Sequence, residues 1–264
     1  MRKFLFISVL FAVAVMMAGC KLSPTPIQPT TVPTPPANVT CNELSFYLDP
    51  ALGSKVMCES VPENSSSDIP VNYPFIYPAH TVVTIQDYPL SKTQFPLSIY
   101  IYPLNRYSEL LPDYIPPRIL ELKSIISNTA WDGKVMPFLP PNPQVQTFHI
   151  HESLLSFNDG NGIRFFTEYS DAPFPINNRS LIYTYQGLTD DGKFWLAITM
   201  PIGNPILPDE RDTYPEGYTF ESLLQDYDAY VADVVNALEL QAPDSFFPPI
   251  DSLDNLVKSI IIQD

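Results

Sequence analysis

From residue 146 to residue 200 the chain alternates apolar and polar positions in four blocks divided by turn residues. Segments 146–157, 163–169, 180–186 and 194–200 read as strands, because side chains two apart share one face of a strand. Asn158-Asp159-Gly160-Asn161-Gly162 and Thr189-Asp190-Asp191-Gly192 supply turn chemistry for the first and last pairs. Together the four predict an antiparallel meander. Segments 80–88 and 96–102 add two strands, with PLSKTQF between them short enough for a hairpin. Leu44, Phe46 and Leu48 alternate in a shorter extended run. The period then changes. Ile119, Leu122, Ile125 and Ile126 fall at helical spacing behind Pro117, a residue suited to a first helical turn. Segment 218–240 carries a broad apolar stripe from Leu223 to Leu238, and segment 252–262 a narrower one through Leu253, Leu256, Val257 and Ile260. Segments 128–143 and 201–217 are proline-rich and predict loops. The implied class is α+β: an antiparallel sheet of meander plus hairpin, packed by one N-terminal-half helix and by C-terminal helices, sandwich-like.

The start of the chain follows a different rule. Arg2 and Lys3 precede an uncharged apolar run over 4–17. That run is too short for a bilayer core, which takes about 20 helical residues. A basic start, a short apolar run and small residues before a cut site predict a secretory signal. Met17-Ala18-Gly19-Cys20 resembles the lipobox of bacterial lipoproteins, with Met where Leu is usual. The resemblance implies cleavage before Cys20, a diacylglycerol thioether on that cysteine, and membrane lipid as its partner. The expected organisation is a signal peptide over 1–19, a lipidated cysteine and Pro/Thr-rich tether over 20–40, and a single extracytoplasmic domain over 41–264. The domain would then sit outside the cytoplasm, anchored to the cell membrane or an outer membrane. The tether segment 21–40 holds six prolines and five threonines, a composition that stays extended at ~3.1 Å per residue.

The order hairpin, helix, meander, helices is similar to that of the Mog1/PsbP-like fold. The stretches CNELSFYLDP, GLTDDGKFW and PDSFFPPIDSLDNL resemble parts of bacterial lipoproteins, a likeness that names relatives without implying an activity.

Charge removes some partners. Segment 41–264 carries eleven basic residues against 29 acidic ones, a formal charge of −18. A surface this acidic argues against nucleic acid, because binding it rests on Lys and Arg meeting phosphate. It argues against lying flat on anionic lipid on the same ground. The remaining partners are a protein or a small ligand, with no cofactor implied. Cys41 and Cys58 lie outside the cytoplasm on this reading, where disulfides persist. Their pairing closes a loop of about 17 residues, worth roughly 3 kcal/mol in the chain-entropy account.

Candidate chemistry is sparse. His149 and His151, two apart on a predicted strand, would point to one face and could hold zinc if His80 or a carboxylate completed the set. On that reading the chain is a metal-dependent hydrolase; otherwise the two are polar residues on a solvent face. Asp159 and Asn161 match the opening of a calcium loop, but the twelfth position is Ser170 rather than Glu. No G-x-S-x-G and no glycine-rich phosphate loop occur among the nine glycines. Tyr100 and Tyr102, with Tyr183 and Tyr185, could line an aromatic groove or fill a core. The sequence therefore favours a non-enzymatic binding role at the cell envelope, with a metal-dependent hydrolase and a structural envelope protein as alternatives.

Overall fold

The computed structural model describes residues 35–65, 75–90, 95, 97–214 and 216–263. The leader, Cys20 and most of the tether lie outside the described residues, as does most of the linker between the two hairpin strands. The described chain runs β1 (Val39–Cys41), β2 (Leu44–Phe46), β3 (Lys55–Val61), β4 (His80–Gln86), β5 (Ser98–Pro103), α1 (Leu104–Leu110) and α2 (Ile115–Asn128). It continues with β6 (Val145–Phe157), β7 (Gly160–Ser170), β8 (Ile182–Thr189), β9 (Phe194–Pro201), α3 (Phe220–Gln225), α4 (Tyr227–Glu239), α5 (Ile250–Lys258) and β10 (Ile261–Ile262).

The expected hairpin and meander fuse. Strand β5 pairs with β9, giving one seven-stranded antiparallel sheet of order β3-β4-β5-β9-β8-β7-β6. Both faces of its centre are covered. Along β9, Leu196, Ile198 and Met200 join one core, with α4, α5 and the small sheet β1-β2-β10. Trp195 and Ala197 join the other core, with α1, α2 and residues 136–139. The class is thus α+β and sandwich-like. Helix α2 begins with prolines in its first turn and ends at Thr129 in the left-handed conformation. The proline-rich loop beyond it is held by Gln186, a buried side chain of β8. The Gln186 amide oxygen accepts from Leu139 N at 3.0 Å and from Trp195 Nε1 at 2.8 Å, and its nitrogen donates to Thr184 Oγ1 at 2.9 Å. Every polar group of that buried amide is used.

Several expectations change. Strand β3 is absent from the sequence reading, because it is exposed along most of its length and shows no alternation. Helix α1 also escapes it, being one short segment against Pro103. The expected helix over 218–240 divides at Asp226, whose carboxylate caps α4 by accepting from Ala229 N. The helix expected over 252–262 stops at Lys258. Asn158 Nδ2 donates to Ile260 O at 2.9 Å and Ile261 pairs with Ser45, so the terminus turns into β10 instead. Gly160 and Gly162 are strand residues rather than turn residues. A Cβ on Gly162 would stand 2.4 Å from Gln186 O and 2.6 Å from Tyr185 Cζ. Gly162 and Gly187 leave a trough in which the Tyr185 ring lies, its hydroxyl donating to Leu155 O at 2.9 Å, while Gly160 makes room for the Phe157 ring.

Candidate functional site

A cleft of about 510 Å³ opens beside the start of β6. Its walls come from three places: Val145 to Thr147 on the edge strand, Ser170 to Pro173 at the end of β7 and just beyond it, and Tyr227, Asp228 and Val231 on α4. The edge is irregular here. The pairing of β6 with β7 slips between Gln146 and Phe148, leaving Thr147 opposite no partner. Helix α4 is fixed over the cleft by two tyrosines. Tyr227 Oη donates to Phe174 O at 3.1 Å, and Tyr230 Oη accepts from Ile176 N at 3.0 Å. The lining is largely apolar, carries the exposed carboxylates of Asp171 and Asp228, and includes no basic side chain.

Beneath Tyr227 lies Glu168, with 2% of its surface exposed. It projects from β7 to the same side as Phe166. Burial pushes its pKa up to about 7, against the pull of the Ser180 hydroxyl and the Asn177 backbone. Ser180 Oγ donates to Glu168 Oε2 at 2.7 Å and also lies 3.2 Å from Asn177 O. One hydroxyl proton cannot serve both acceptors at once. When Glu168 is neutral, its own proton serves Ser180 and the serine proton is free for Asn177 O. Tyr227 and Tyr230 both feel the Glu168 charge, which adds to the burial that raises their own pKa values.

The histidines expected to stand together do not. The β6–β7 register slips again between Ile150 and Ser153, so residues 151 and 152 together oppose one position of β7. His151 takes a left-handed backbone, φ 52°. Its ring turns to the α4/α5 side, 5.2 Å from Phe166 and 5.1 Å from Phe246, and Nε2 donates to Leu238 O at 3.0 Å. His149 keeps the register of Thr167, on the opposite side, and its Nδ1 pairs with Glu152. The bulge thus replaces the expected shared face with opposite ones. His80 is on β4, across the sheet, its ring tilted against that of Tyr102 with centroids 4.6 Å apart. Among the described residues no group of three His, Cys, Asp or Glu side chains is placed to hold a metal ion.

The aromatic groove divides in the same way. Tyr100 and Tyr102 stack at 5.7 Å on the α1/α2 side, whereas Tyr183 and Tyr185 are buried in the other core. Asp159 is taken up by the C-terminal strand, accepting from Ile262 N at 2.7 Å. Cys41 and Cys58 are joined, tying β1 to the exposed strand β3.

A buried charge network escaped the sequence reading. Arg164 on β7 donates to Asp254 Oδ2 of α5 through Nη2 at 3.3 Å, its Nε stands 3.3 Å from Oδ1 as an ion-pair contact without a hydrogen bond, and its Nη1 donates to His151 O. Tyr183 Oη donates to Asp254 Oδ1 at 2.9 Å. The network clasps α5 and the bulge to the sheet. Its only signal was a charge inside the apolar run IRFF, on a strand that proves buried on both sides.

No protein-family model, curated protein or solved structure matches the chain. No described helix is long and apolar enough to cross a membrane.

Proposed function

We propose that this chain is a lipid-anchored extracytoplasmic binding protein whose ligand pairs an apolar body with a cationic amine. The cleft between β6 and α4 carries the reading. Its volume falls within the 300–1,000 Å³ typical of ligand sites. Its apolar walls would take a hydrocarbon chain or ring. Asp171 and Asp228 would take the amine, in a lining without a competing cation. The chain's excess of acid draws cations toward the same mouth. Anchoring through Cys20 rests on the lipobox resemblance, and the Pro/Thr tether would hold the cleft away from the bilayer.

The test is a thermal melt of the chain against hexylamine, hexanol and hexanoate. A ligand of the native state adds RT ln(1 + [L]/Kd), or ~2.7 kcal/mol at a 100-fold excess over Kd. Hexylamine should raise the melting temperature more than hexanol, and hexanoate should not raise it. Asp171→Asn with Asp228→Asn should reduce the amine response to that of the alcohol. Equal responses to all three probes would refute the reading. The anchor is tested separately: Cys20→Ser should move the chain out of the membrane fraction, and retention there would refute lipidation.

A further inference from the structure

The two edges of the large sheet are built differently. Edge strand β6 is broken by two register slips and partly covered by α4 and α5. Edge strand β3 runs seven residues in unbroken register with β4 and has no partner on its outer side among the described residues. It contains no proline and no bulge, two of the devices that keep an edge from pairing, and its charges, Lys55 and Glu59, are of opposite sign. Its residues Lys55, Met57 and Glu59 all point to the side away from Cys58, and all are exposed, Met57 by 53%. Neither Lys55 nor Glu59 forms an ion pair with a described residue, and their β4 neighbours Gln86 and Val82 are uncharged. His80, further along β4, feels the Glu59 charge.

This order of charges is self-complementary. We propose that β3 is a self-association edge: two copies pair β3 antiparallel about Met57, with Lys55 of each opposite Glu59 of the other. A two-fold axis between the two Met57 residues sets both ion pairs at once and brings the exposed methionines together. Shifting the pairing by one residue puts Lys55 opposite Ser60 or Ser54 opposite Glu59, and the charge match is lost. Opposite charges facing across strands stabilise a pair and like charges destabilise it. The overall acidity of the chain opposes association only weakly, because physiological salt screens charges beyond ~8 Å.

The full chain in detergent is followed by analytical ultracentrifugation over about 10–100 µM, the range where a micromolar dimer fills. The wild type should shift from monomer to dimer. Lys55→Glu and Glu59→Lys should each weaken association by about tenfold or more, since both pairs become like-charged. The double variant should dimerise again. Mixing the two single variants should yield a heterodimer, because each then supplies the charge the other lacks. That mixture also shows that the variants are folded. A wild type that stays monomeric throughout, or a dimer indifferent to the single changes, overturns the proposal.

Discussion

Replacing Glu168 by Gln should remove a pH dependence that the wild type carries. The unfolded chain ionises this carboxyl near its ordinary 4.5, while the folded chain holds it to about 7. Between these values the native state binds the extra proton. Stability therefore falls as pH rises from about 4.5, and levels off above about 7. A shift of that size corresponds to roughly 3 kcal/mol at 1.36 kcal/mol per unit. Gln fills the same volume, stays neutral, and its amide offers Ser180 Oγ a donor, as the neutral carboxyl does, as well as an acceptor. Its stability should lack this slope. The assay is urea denaturation of both proteins at steps from pH 4.5 to pH 8.5. The quantity read is the variant's stability minus that of the wild type. Other titrating groups drop out of the difference. One is His80, whose pKa burial pushes down, so that acidification below its ordinary pKa costs stability. The difference should grow by roughly 3 kcal/mol in favour of Gln and then flatten. Parallel curves across the range would show that Glu168 ionises as a solvated carboxylate does. They would refute the argument that its pocket is dry.

Three further outcomes are expected from other parts of the structure. Asp254→Ala strands the buried Arg164 guanidinium and should cost about 3–5 kcal/mol in denaturant titration, whereas an exposed carboxylate such as Glu121 should cost less than about 1 kcal/mol. Cys41→Ser with Cys58→Ser should lower stability by roughly 3 kcal/mol, measured under oxidising conditions, and proteolysis should open first near β3, which has little other burial. Gly162→Ala sets a methyl against Gln186 O and the Tyr185 ring, so it should destabilise by about 1–3 kcal/mol, while Gly133→Ala, which meets no neighbour, should cost only the left-handed backbone strain of its φ 67°, about 1 kcal/mol.

The meander was legible because its turns announce themselves and its strands carry apolar residues at every second place. The polar places misled. Arg164 and Glu168 stand where alternation predicts solvent, yet β7 lies between neighbours with a helix layer on each side, so its second face is core as well. Strand β3 was illegible for the opposite reason. With nearly every side chain exposed it has no pattern to read, and it is fixed by backbone pairing and one covalent bond. The Ile260-Ile261-Ile262 run fits a helix or a strand equally well, and the choice is made by Asn158 and β2, more than 100 residues away. The histidine pair failed at the bulge. Two residues opposite one partner reverse the face of the residues beyond them, and no local spacing in HIHES reports that slip. The cleft depends on the same irregular strand, since Thr147 reaches it through the first slip.

The placement of the two proposed surfaces makes them compatible. Strands β3 and β6 close opposite ends of the sheet, with five strands between them. At ~4.8 Å per strand the cleft at β6 stands about 29 Å from the pairing edge at β3. Edge pairing would therefore extend the sheet without touching either cleft, and a dimer would present one cleft at each end. Amine binding and self-association should then be independent. Hexylamine at saturation should leave the sedimentation equilibrium where it was, and Lys55→Glu should leave the melting response to hexylamine unchanged. Coupling in either direction would mean that the two ends communicate through the sheet. The dry Glu168 site beside the cleft, and the Arg164–Asp254 clasp that fixes α5 to the same strand, would then be the first places to seek the path.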